Sequence, residues 1–161
     1  MPKAKLLRVT NSLLTLMCLT LIVYYSTRDG EQTYRDSEKL TQLVSSVVYR
    51  RELSAAEFAA LNIKLREAAH VVLYGFLGTV SGLWAQIGKT HGSRVGLMAV
   101  TGVSCVMIGL TDEYLKQYVP GRHFHVNDFM LNSCSALAGL FICCTACMVI
   151  RILTQVAKRA K

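Results

Sequence analysis

Four stretches of the chain carry no Asp, Glu, Lys or Arg: residues 9–26, 68–88, 95–111 and 129–150, which are 18, 21, 17 and 22 residues long. A helix rising about 1.5 Å per residue needs roughly 17–25 residues to cross about 30 Å of hydrocarbon. Each stretch therefore predicts a transmembrane helix, with spans at about 9–27, 68–88, 95–111 and 129–150. The loop 28–67 between the first two has a pattern of its own. Leu40, Leu43, Val44, Val47 and Val48 recur at i, i+3, i+4, i+7 and i+8, one face of a helix. That face has no soluble core to meet, so it is expected on the membrane surface or across the mouth of the bundle. The polar stretch 30–38 ahead of it reads as irregular. Ser54 followed by Glu57 is a capping box that starts another helix through Phe58 and Leu61 toward Arg66, with Asn62 as a candidate break before span two. Pro120-Gly121 breaks the loop between spans three and four.

Composition agrees. Of 161 residues, 52% are apolar and only 17% charged, and mean hydropathy is +0.36. A soluble enzyme, a disordered chain and a disulfide-stapled secreted module are excluded. The fold class expected is all-α and polytopic: one membrane domain over 1–161, a bundle of four transmembrane helices with an outer amphipathic helical segment between spans one and two. The net charge of +8 would suggest nucleic acid if read alone. Its distribution says otherwise. Lys3, Lys5 and Arg8 precede span one, Lys89 and Arg94 join spans two and three, and Arg151, Lys158, Arg159 and Lys161 follow span four, with no acidic residue among them. All 10 acidic residues lie in the other two connections. Positive charge in short flanking loops marks the cytoplasmic side, so both termini are expected there and the acidic loops outside. The first apolar run lacks a small-residue cleavage pattern at Tyr24-Tyr25-Ser26-Thr27, so an uncleaved first span is the expectation.

All six cysteines (Cys18, Cys105, Cys134, Cys143, Cys144 and Cys147) fall inside the spans and read as small, polarisable packing residues. Gly78 and Gly82 make a GxxxG in span two, and Ser135 with Gly139 a small-xxx-small pair in span four. Such pairs let helix backbones approach closely in lipid, so these two helices are expected to touch.

Three polar stripes carry the candidate chemistry. Arg66, His70 and Tyr74 are four apart at the outer end of span two. Asp112 and Lys116 are four apart, with Glu113 beside them, at the outer end of span three. Asp128 and Asn132 repeat the spacing where span four begins, after Arg122, His123 and His125. The topology brings all three helix ends to one membrane face, within a turn or two of water. Charges at membrane depth are costly and usually face the bundle interior, paired with one another. The candidate ligand-binding set is therefore Arg66, His70, Tyr74, Asp112, Glu113, Arg122, Asp128 and Asn132, and the candidate acid–base groups are His70, Glu113 and Asp128.

The ordered set Arg66-x-x-x-His70-x-x-x-Tyr74-x-x-Leu77-Gly78, Asp112-Glu113, Val119-Pro120-Gly121-Arg122, Asp128 and Asn132, ahead of a small-residue helix reaching Gly139, resembles the VanZ-like family over about residues 62–139. The family often has Lys three residues before its His, where this chain has Glu67, and Gln three residues after its Glu, where it has Lys116. The resemblance implies a small multi-pass protein of the bacterial inner (plasma) membrane, in a family whose founding member is linked to teicoplanin-type glycopeptide resistance. A general cell-envelope role is the expectation, with resistance as a further one.

Two functions from different classes follow. In the first, Arg66 and Arg122 clamp the phosphate or carboxylate of a membrane lipid, a lipid-linked envelope precursor or a glycopeptide head group, since guanidinium offers a planar bidentate fork. The alternative is an interfacial enzyme acting on a lipid head group, with His70 and Glu113 or Asp128 as acid and base. No Gly-x-Ser-x-Gly, His-Glu-x-x-His or phosphate-cradling glycine loop is present. A proton or solute pathway would need charges in the inner halves of spans two to four, which have none. His123-x-His125 with Asp128 lacks a fourth ligand, so neither metal nor cofactor is expected. Nucleic acid is not an expected partner, and oligomers stay open.

Overall fold

A computed structural model of the chain describes residues 2–87 and 91–160, with side chains for 5–87 and 94–160. Five α-helices follow one another: α1 (Pro2–Thr27), α2 (Gly30–Val44), α3 (Ala55–Gln86), α4 (His91–Lys116) and α5 (Val126–Arg159). No strand occurs among the described residues. Helices α1, α3, α4 and α5 are each long and apolar enough to cross a membrane, as the four charge-free stretches predict. Lys89, one of the two cations in the turn between spans two and three, lies outside the described residues, as do the side chains of Lys3 and Lys161.

The helices overrun the charge-free stretches. Helix α3 has 32 residues, about 48 Å of helix at about 1.5 Å each, so one end projects well past the hydrocarbon. It starts at the expected capping box, where Ser54 Oγ accepts from Glu57 N at 3.3 Å and Glu57 Oε2 accepts from Ser54 N at 2.9 Å. Asn62, the candidate break, does not interrupt it: a single residue of modest helix propensity is outweighed by tertiary packing, and Asn62 is buried. The expected irregular stretch 30–38 is also corrected. It is the first half of α2, because Asp29 caps it by accepting from Glu31 N at 3.1 Å and the acid in the first turn suits the helix dipole. After Val44 the chain widens into a π-helical turn, Ser45–Tyr49, and stops at left-handed Arg50. Of the expected face, Leu40, Leu43, Val47 and Val48 are exposed and Val44 is half-buried.

Packing is tightest between α3 and α5. A Cβ on Gly78 would stand 1.9 Å from the Ala136 carbonyl oxygen, and one on Gly139 would stand 2.0 Å from that of Gly75. Thr79 Oγ1 bonds Gly75 O at 2.9 Å within α3 and Gly139 O at 3.3 Å across the contact. The two helices thus touch as expected, with Gly78 against Ala136 and Gly139 against Gly75, while Gly82 faces the Leu140 and Cys143 side chains. Lipid tails are as apolar as the helices, so close approach and hydrogen bonds hold such a pair together more than hydrophobic burial does. Helix α1 joins through Asn11 Nδ2, which donates to Val80 O at 3.1 Å. Its Cys18 and Ile22 pack with Tyr74, Leu77, Cys105 and Ala136.

Two arginines close helix ends. Arg151 Nη2 donates to Gln86 O at the end of α3, at 2.9 Å. At the other end of the bundle, the Pro120-Gly121 turn reaches α2. Gly30 N donates to Pro120 O at 3.2 Å, and a Cβ on Gly30 would meet Gly121 O at 2.7 Å. Gly121 itself has φ +71°, a conformation glycine takes without penalty.

Candidate functional site

At this α2 end, the last turn of α4 buries three charges. Relative exposures are 6% for Asp112, 0% for Glu113 and 4% for Lys116. Spacings of three and four residues put them on one side of the helix: Lys116 Nζ pairs with Glu113 Oε1 and lies 3.5 Å from Asp112 Oδ2. Two carboxylates at a helix C-terminus oppose the dipole, and Lys116 supports it.

Asn132 on α5 ties this group to α3. Its Oδ1 stands 2.8 Å from His70 Nδ1, and its Nδ2 lies 3.5 Å from both Asp112 Oδ2 and Glu113 Oε1. The orientation of the amide follows from the partners. Reversed, it would aim an oxygen at two carboxylates. Asn132 Oδ1 therefore accepts from His70 Nδ1–H, and in the neutral ring Nε2 is left as an acceptor. Gly109 of α4 lies against this point, where an added Cβ would stand in ordinary van der Waals contact with Asn132 Cβ, at 3.6 Å. Tyr74, one turn from His70 and with its ring nearly parallel at 6.4 Å, is 1% exposed, and its hydroxyl has no hydrogen-bond partner.

Arg122 acts on α1. Its Nη1 donates to Tyr25 O at 2.6 Å and Ser26 O at 3.3 Å, with Arg28 O at 3.5 Å. These are carbonyls that the end of a helix leaves without partners. Burial first, and then repulsion from Arg66, push its pKa below the ordinary guanidinium value, against the pull of Asp112, Glu113 and Asp128; it stays protonated at neutral pH. Arg122→Ala should lower the stability of the bundle by about 1–2 kcal/mol, the worth of a charge-assisted cap discounted for its half-exposed position. A thermal midpoint equal to that of the unsubstituted chain would refute the capping role.

A cavity of about 350 Å³ opens between α1, α2, α3 and α4. Ile22, Leu40, Leu65 and Leu73 form its apolar wall, His70, Tyr74, Asp112 and Lys116 its buried polar end, and Arg66 and Arg122 also line it. Arg66 is exposed and, among the described residues, forms no ion pair. Of the expected site residues, Arg66, His70, Tyr74, Asp112 and Arg122 line the cavity. Glu113 and Asn132 stand behind it as the support of Asp112, Lys116 and His70. Asp128 is half-buried in the first turn of α5 and does not line it, and His123 and His125 are exposed. Among the described residues, no three His, Cys, Asp or Glu side chains gather in a way that could hold a metal.

Sequence reasoning left two contributors out of the site. Lys116 looks like a departure from a family pattern, yet it is the counter-ion of both buried carboxylates. Its i−4 and i−3 acids at the end of an apolar helix were the available signal. Thr33, Asp36 and Ser37 form the α2 wall of the cavity, with Asp36 paired to Arg28. Reading 30–38 as irregular hid that face.

A family model described as VanZ/LLP1 matches residues 12–150, a range that takes in the greater part of α1, all of α2 and every cavity-lining residue. No curated protein and no solved structure matches the chain.

Proposed function

The chain belongs to the VanZ/LLP1 family, and on that footing we propose that it is a cell-envelope protein whose cavity binds the phosphate-bearing head group of a membrane lipid or lipid-linked precursor. It sits in the inner (plasma) membrane with both termini in the cytoplasm, a placement supported by the basic termini and the basic turn at Arg94. The cavity then opens on the outer face. A glycopeptide head group carrying an acyl chain offers the same chemistry, which is the link to a resistance role.

One observation carries the reading: two guanidiniums, those of Arg66 and Arg122, line one cavity whose wall is apolar. An anion between them would relieve their repulsion and accept charge-assisted hydrogen bonds, while an acyl chain lies along Ile22, Leu40, Leu65 and Leu73. The enzyme alternative needs His70 paired with Glu113 or Asp128. His70 Nδ1 is instead held by the Asn132 amide, and neither carboxylate lines the cavity, so binding is the better-supported function.

Arg66 gives the cleanest test, because it is exposed and caps nothing. Arg66→Ala should lower phospholipid retention in native mass spectrometry by roughly tenfold, the effect of losing one charge-assisted bond, and leave the thermal midpoint unchanged. Retention unaffected by the substitution would rule the reading out.

A further inference from the structure

The charges of the site are balanced in number and separated in depth. Lys116, Arg66, Arg122 and Arg28 stand against Asp112, Glu113, Asp128 and Asp36, of which Arg28 and Asp36 neutralise each other. The buried end holds two carboxylates and one ammonium, Asp112, Glu113 and Lys116, all less than a tenth exposed. The two arginines that line the cavity are exposed or half-exposed. The site is thus negative within and positive at its mouth. An anionic ligand at the arginines would leave the buried excess of negative charge uncompensated, in surroundings where uncompensated charge is expensive.

Three acceptors stand at the negative end. The contacts at 3.5 Å from Lys116 and Asn132 both fall on Asp112 Oδ2, which leaves Oδ1 to a ligand or to the neighbouring Tyr74 hydroxyl. His70 Nε2 is the nitrogen that Asn132 leaves over. Tyr74 brings a hydroxyl that is buried and unpartnered, with Asp112 and Glu113 as the charged groups beside it. All three residues line the cavity. A buried hydroxyl without a partner is costly unless something arrives to bond it.

We infer that the head group is zwitterionic, with a primary ammonium seated between Asp112, His70 and Tyr74 and its phosphate at Arg66 and Arg122. This rests on the head-group reading above and specifies it. A primary ammonium has three N–H donors for three acceptors. A quaternary ammonium has none, and a glycerol head group brings no positive charge.

The test is native mass spectrometry of the full chain with equal amounts of phosphatidylethanolamine, phosphatidylglycerol and phosphatidylcholine carrying identical acyl chains. Phosphatidylethanolamine should be retained roughly tenfold over either competitor. Asp112→Asn, which leaves Glu113 to neutralise Lys116, should remove that preference without lowering phosphatidylglycerol retention. Tyr74→Phe should weaken the preference with little change in the thermal midpoint, because the hydroxyl has no well-formed hydrogen bond in the protein. Retention that depends on Arg66 but is equal for phosphatidylglycerol would overturn the ammonium site and leave the head-group reading standing. Retention of all three lipids that ignores Arg66→Ala would overturn both. Tyr74→Phe and Asp112→Asn with unaltered selectivity would also overturn the inference.

Discussion

Gly78→Ala is expected to destabilise the bundle by about 3 kcal/mol or more, although alanine is the better helix former by about 1 kcal/mol. The new methyl group would stand 1.9 Å from the Ala136 carbonyl oxygen and 2.7 Å from its carbon. Backbone atoms of a packed helix cannot rotate aside as a side chain can, so α3 and α5 must separate along their length. The cost lies at or beyond the upper end of ordinary overpacking, because the Thr79–Gly139 contact at 3.3 Å and the Asn132–His70 bond at 2.8 Å bridge the same two helices. Gly96→Ala is the control. Nothing lies within 4 Å of a Cβ there, so only the propensity gain remains and the midpoint should rise. Thermal unfolding of the two variants in one detergent should move in opposite directions. Movement of both in the same direction would mean that the close α3–α5 contact does not limit stability.

Lys116→Met should cost about 3–5 kcal/mol, the penalty for leaving a buried charge without its partner. Asp112 and Glu113 would face each other at the end of α4 with only the long contacts from Asn132, each 3.5 Å. Adding Glu113→Gln should recover much of the loss, because one carboxylate beside the cavity is more easily tolerated than two buried at the end of α4. With Glu113→Gln alone measured to complete the cycle, the coupling energy of the pair should be on the order of 0.5–3 kcal/mol, as for residues in contact. A single variant as stable as the unsubstituted chain, with no recovery in the double, would show that water reaches the pair and that the cluster is not buried.

The same residues show how far local pattern carries. The Ser54–Glu57 box marked the start of α3 and Pro120-Gly121 the turn between α4 and α5, whereas the change from charged to apolar located the four spans and not the ends of their helices. The start of α2 was missed although Asp29-Gly30-Glu31 carries a capping signature, because the polarity of 30–38 outweighed it. The α3–α5 contact was legible because small residues four apart have few other uses inside lipid. Arg66 and Arg122 were read as alike. In the folded chain one is exposed and unpaired, while the other binds the carbonyls that end α1, some 97 residues away along the chain. The cavity needed four helices and α2 at once, so no window of sequence contains it.

Charge-free length and the spacing of small and polar residues thus determined a four-helix membrane bundle with polar stripes gathered at one end. These are properties of single helices and of the solvent around them, in which each backbone group must be satisfied within its own segment. The tertiary structure alone decided which stripe residues line a cavity, which support it from behind and which cap a neighbouring helix. Long polar side chains choose partners within about 3 Å, and that choice depends on how helices distant in sequence are rotated and pressed together.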